Sequence, residues 1–142
     1  MVLTVEQLVK GFELSITTSF IQQQVSEYVE LVGDKNPIHT DAEFARQKGL
    51  FGAVVPGGLI EGTLVGIASS NFPFGAVLVE KTFKFKQPLF VGKEVILNLR
   101  IDDVSGDRTR KIIKLSAKAS YNDVVYTEGT FTGFFQTALI PK

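Results

Sequence analysis

The chain contains one histidine and no cysteine, so thiolate nucleophiles, Cys-ligated metals, disulfides and multi-His zinc sites within one chain are excluded. No metal site is expected. Chemistry must be carried by carboxylates, hydroxyls, backbone amides and the single imidazole. That imidazole, His39, lies in "GDKNPIHTD", Gly33 to Asp41, with Asp34 and Asn36 close before it. Pro37 removes a backbone donor and disfavours helical geometry at Asn36, so residues 34 to 39 should form a short, stiff, non-helical connection with Asp34 and His39 at its ends. By residue type alone, Asp34, Asn36 and Pro37 are equally ordinary turn formers.

The elements around this stretch read as two helices. Ile21, Val25, Tyr28, Val29 and Val32 recur at helical spacing, Ser19 with Gln22 fits a capping box, and Gly33 is a usual stop, which places a helix over about 21 to 32. Thr40 with Glu43 suggests a second capping box, with helix resuming near Asp41. Residues 11 to 20 alternate in the manner of a strand. A glycine-proline loop then leads to a third helix carrying Leu59, Ile60, Leu64, Ile67 and Ala68, and its small residues Gly62 and Gly66 suggest tight packing against other backbone. This helix is expected to be the buried one.

From about residue 76 onward four strand-like runs alternate with turn signals at Gln87 to Gly92, Ser105 to Gly106 and Asn122 to Asp123. A helix-rich first half and a strand-rich second half argue for an α+β fold, an antiparallel sheet wrapped on a central helix. No repeat or linker divides residues 1–142, so one domain is expected. Fifteen basic and fifteen acidic side chains cancel, so no net field favours nucleic acid or an anionic membrane. No apolar run reaches the roughly 18 residues of a membrane span. The first residues carry scattered charges rather than a basic head and an apolar stretch, and the protein is expected to be cytoplasmic.

"YVELVGDKNPIHTDAEFA", Tyr28 to Ala45, resembles the hydratase 2 signature of the MaoC-like family, the (R)-specific enoyl-CoA hydratases and related 3-hydroxyacyl thioester dehydratases of hot-dog fold. "FKQPLFVGKEV", Phe85 to Val95, is a weaker echo of a later strand, proline turn and strand start in that family. The resemblance implies a hot-dog fold and a hydro-lyase acting on enoyl or 3-hydroxyacyl thioesters. It implies His39 as base toward water, with Asp34 as orienting partner and proton donor. Asn36 then belongs to the substrate-binding residues, supporting the site by bonding neighbouring backbone or the water rather than acting in catalysis, and Gly57 and Gly58 present amides to the thioester oxygen. Where many members carry His-Gly-Met this chain has Pro56-Gly57-Gly58, and a hydroxyl residue usual one turn later is replaced by Gly62, leaving Thr63 beside it as a substrate contact. No cofactor is implied beyond coenzyme A or acyl carrier protein as bearer of the acyl group, and a homodimer is implied.

Glu61 is unexpected on a helix that the family keeps apolar. Since hot-dog thioesterases use a carboxylate there, an acyl thioesterase is a second reading, and a non-catalytic acyl-thioester-binding module a third. Phe72 and Phe74 are candidates to line an acyl tunnel, though most phenylalanines must be core. Lys84 and Lys86 share a sheet face, either solvated or facing the phosphates of the acyl carrier.

Overall fold

A computed structural model describes residues 2–73, 75–107 and 109–136; Phe74 lies outside them. Five strands form one antiparallel sheet: β1 (Glu13–Ser19), β2 (Val77–Phe85), β3 (Glu94–Gly106), β4 (Arg110–Tyr121) and β5 (Val124–Gln136), in the spatial order β1-β3-β4-β5-β2. The long strands β3, β4 and β5 follow one another through tight turns. Asn122 and Asp123 hold φ of 48° and 65° between paired Tyr121 and Val124, the left-handed pair that a two-residue hairpin turn requires. At the β3–β4 turn Gly106 has φ of 95°, and a Cβ there would strike the Arg110 carbonyl.

Among the described residues the α-helices are α1 (Gln22–Val32), α2 (Ala42–Gln47) and α3 (Gly57–Asn71). Alternate residues of β3 (Val95, Leu97, Leu99, Ile101) and of β4 (Ile113, Leu115, Ala117, Ala119) point to one side of the sheet and are buried there. Ile60, Leu64 and Ala68 of α3, one turn apart, belong to the same core. A sheet curled over a central helix is the hot-dog architecture, as expected. Phe72, at the end of α3, is part of this core.

Some local expectations are corrected. The first helix is capped by Gln24, whose Oε1 accepts from the N–H of Ile21 at 3.0 Å, not by Ser19 and Gln22. The second is capped by Asp41, whose Oδ1 accepts from Phe44 N–H at 3.0 Å, not by Thr40. Asp41 lies one residue nearer the helix, so its carboxylate reaches the orphan amide without bending the chain. The segment before it is not wholly non-helical, because Pro37–His39 forms one 3-10 turn. Nor do Gly62 and Gly66 mark a tight approach, since a Cβ at either would meet open space. The close approaches fall at the start of the helix. A Cβ on Gly57 would come within 2.7 Å of the Phe85 ring, and one on Gly58 would collide with the Tyr28 hydroxyl oxygen.

Candidate active site

The signature loop is built to set two side chains facing each other. α1 ends at Gly33, φ 76°, and the chain turns so that Asp34 N–H donates to the Val29 carbonyl at 2.9 Å. Asp34 Oδ1 accepts from Asn36 N–H at 2.9 Å, which leaves Oδ2 free. Asn36 in turn caps the 3-10 turn, its Oδ1 accepting from Ile38 N–H at 3.2 Å, with Pro37 in the first position, where a missing N–H costs nothing. Asn36 thus braces the loop through backbone contacts and, although expected beside the substrate, is not in the lining of the cavity that holds His39.

His39 is 9% exposed, and Val54 holds both its ring and the residue before it. Val54 N–H donates to the Ile38 carbonyl at 2.9 Å, and the Val54 carbonyl receives the His39 Nδ1 contact at 2.7 Å. A carbonyl oxygen only accepts, so Nδ1 carries a proton and the neutral ring presents its Nε2 lone pair. Nε2 lies 3.4 Å from Asp34 Oδ2. Two acceptors at that separation call for a shared proton or a shared water. The pair therefore has the make-up of an acid–base couple.

His39 opens on a cavity of about 410 Å³ together with Gly57, Gly58, Phe85, Leu89 and Thr127. Asp34 is not in its lining; its partly exposed carboxyl meets His39 at Nε2. Gly57 and Gly58 are the first two residues of α3, whose N-cap, Pro56, offers no side-chain acceptor. Neither glycine's N–H finds an acceptor among the described residues, and such orphan amides at a helix start favour an oxyanion.

Of the other expected residues, Thr63, Glu61 and Lys84 lie outside this cavity lining, while Lys86 belongs to it. Thr63 donates its hydroxyl to the Leu59 carbonyl at 2.7 Å and lies outside the cavity lining. Glu61 is also outside it and accepts from Lys81 Nζ at 2.9 Å. Lys84 faces Glu128 across the β2–β5 pair, and Lys86 Nζ lies 2.7 Å from Glu128 Oε1. The hydrogen bond from Lys86 holds the Glu128 carboxyl below its ordinary pKa, with Lys84 and Lys118 adding to the effect. Lys86 also stands at the rim of the His39 cavity.

Two features of the site were not foreseen. One is the Val54 carbonyl, whose role depends on a fold contact 15 residues away from the histidine. The other is Thr127, which had one legible signal: it is the only hydroxyl residue in the alternating row Thr127, Gly129, Phe131, Gly133, Phe135.

The comparisons agree on one family. Residues 4–125 match the model described as MaoC like domain. A mitochondrial 3-hydroxyacyl-(acyl-carrier-protein) dehydratase from Solanum lycopersicum is 34% identical over 113 residues, 80% of this chain and 68% of that protein. A mitochondrial protein of the same name from Arabidopsis thaliana is 31% identical over 134 residues, 93% of this chain and 77% of its own length. Among solved structures, an (R)-hydratase from A. caviae superposes with a TM-score of 0.82 at 23% identity, covering 91% of this chain and 98% of its own, which speaks to the fold. With its signature loop, its sheet and its central helix in place, the chain belongs to the MaoC-like domain family.

Proposed function

We propose that the protein is a hydro-lyase interconverting trans-2-enoyl and (R)-3-hydroxyacyl thioesters by syn addition or loss of water. The observation that carries this reading is the 3.4 Å approach of His39 Nε2 to Asp34 Oδ2, with Nδ1 already committed to the Val54 carbonyl. In hydration, a water held by the pair attacks C3 while its proton passes to Nε2. Asp34 delivers a proton to C2 on the same face. The couple begins and ends with one exchangeable proton, because the one gained from water replaces the one given to C2. Charge arriving at the thioester oxygen meets the amides of Gly57 and Gly58. Dehydration runs the same steps backward, and the names of the two plant relatives support that direction.

The acyl group is carried by coenzyme A or by acyl carrier protein, with no further cofactor. Loss of enoyl absorbance on adding the protein to crotonyl-CoA, and to the matching carrier-protein thioester, tests the reaction and names the carrier. Conversion of neither would end the reading.

A homodimer belongs to the same proposal. β2 is an edge strand, and Val77 and Val79 are 59% and 64% exposed on it, an edge that a second copy would cover. A solution mass of one chain would contradict the dimer. A cytoplasmic location is also proposed; the plant relatives are mitochondrial by name, and microscopy of a tagged protein decides between the two compartments.

A further inference from the structure

β5 turns one face to the core, and along that face every described side chain but one is apolar or absent. Phe131 and Phe135 are each 4% exposed, Gly129 and Gly133 have no side chain, and Thr127 is 1% exposed. Thr127 pairs across the sheet with Phe85 and Ala119 and lines the cavity that also holds His39, Gly57 and Gly58. Its Oγ1 is buried and has no hydrogen-bond partner among the described residues. Thr63 shows how this chain otherwise treats a half-buried threonine, by bonding it to its own helix. A hydroxyl withdrawn from water without a partner destabilises the fold, and a valine of the same shape and equal liking for strands would avoid that cost. The buried hydroxyl thus has room for a hydrogen-bond partner that the described residues do not supply.

The head of an enoyl thioester presents one polar atom, the carbonyl oxygen, and that atom only accepts. On the α3 side of the cavity the available donors are the amides of Gly57 and Gly58, while on the β5 side the lining residue that carries a hydroxyl is Thr127, its Oγ1 buried and unpartnered among the described residues. His39 and Asp34 are occupied with the water. We propose that Thr127 Oγ1 donates a hydrogen bond to the thioester carbonyl oxygen, opposite the α3 amides, and stabilises the enolate-like charge formed as C2 gains or loses its proton. This inference rests on the hydro-lyase reading above. It adds a side-chain donor whose loss is felt in the transition state more than in substrate binding.

The test compares the wild type with Thr127→Val and Thr127→Ser. With crotonyl-CoA, Thr127→Val is expected to lower kcat on the order of a hundredfold with KM changed by less than about threefold, and Thr127→Ser to recover most of that loss. The melting temperature of unliganded Thr127→Val should equal or exceed the wild type's, because no protein hydrogen bond is lost. A Thr127→Val enzyme within about twofold of wild-type kcat overturns the proposal. So does a variant that melts lower while Thr127→Ser is equally impaired, since packing would then explain the residue. A wild type that hydrates nothing counts against the hydro-lyase reading, and a second readout still judges Thr127. For acetoacetyl-CoA bound to the protein, Thr127→Val should raise the apparent pKa of enolate formation by about one unit, a tenfold loss of enolate. No change in that titration also overturns the proposal.

Discussion

Replacing Gly58 by alanine tests the packing that sets the first turn of α3. The new Cβ would collide with the Tyr28 hydroxyl oxygen, while the ring carbon behind it stands 3.1 Å away and the next 3.8 Å. The oxygen of this half-buried tyrosine is thus the main obstacle, and it makes no hydrogen bond to a described residue. Either the ring of α1 or the start of α3 must yield, and overpacking of this kind costs about 1–3 kcal/mol. For a chain of 142 residues each kcal/mol lowers the melting temperature by about 3–4 °C, so Gly58→Ala should melt roughly 3–12 °C below the wild type. Tyr28→Phe deletes the obstructing oxygen and should by itself cost less than about 1 kcal/mol, because no bond to protein is lost. In the double variant most of the Gly58→Ala loss should return, a coupling of about 1–2 kcal/mol in a double-mutant cycle read by thermal and denaturant unfolding. If the two losses simply add, the contact is not what requires glycine at this position.

Two further outcomes follow from the charged groups. The Glu61–Lys81 pair is partly exposed and outside the cavity, and such pairs contribute about 0–1 kcal/mol; Glu61→Gln should keep hydration within about twofold of wild type, whereas a tenfold fall, or thioester cleavage that depends on Glu61, would move the chemistry to that carboxylate. The Glu128 carboxyl is held below its ordinary pKa of 4.5 by the hydrogen bond from Lys86. A depressed carboxyl stabilises the folded state fully above the unfolded value and loses that contribution as pH falls through the folded one. The small melting advantage of wild type over Glu128→Gln should therefore be present at pH 7, shrink below pH 4.5, and fade in high salt; an advantage that grows with acid would contradict this sign.

The strands were legible because each carries its own evidence: β3 and β4 alternate apolar and polar residues, and their turns are marked by Gly106 and by Asn122-Asp123. The signature loop was legible for the same local reason, since Gly33, Asp34, Asn36 and Pro37 act within a few residues of one another. Helix caps were misplaced by one or two positions where several side chains compete for the same orphan amide, as Thr40 and Asp41 do. What depended on distant chain was not readable. Val54 orients His39, Tyr28 and Phe85 press on Gly58 and Gly57, and Thr127 meets the cavity only because β5 lies against α3. Nor was the position of Thr63 readable: it lies outside the lining of the His39 cavity, its hydroxyl bonded to the preceding turn as a mid-helix threonine's can be.

The most direct measurement is kcat/KM for hydration of a crotonyl thioester by Asp34→Asn, His39→Ala and the double variant, each checked for a wild-type melting profile. Loss of one partner should lower kcat/KM by about 10²–10⁴-fold, and the double variant should be little worse than the poorer single one, because the two groups act on one water as a unit. Near-full activity in either single variant, with the fold intact, would contradict the pairing of Asp34 and His39 as the catalytic couple.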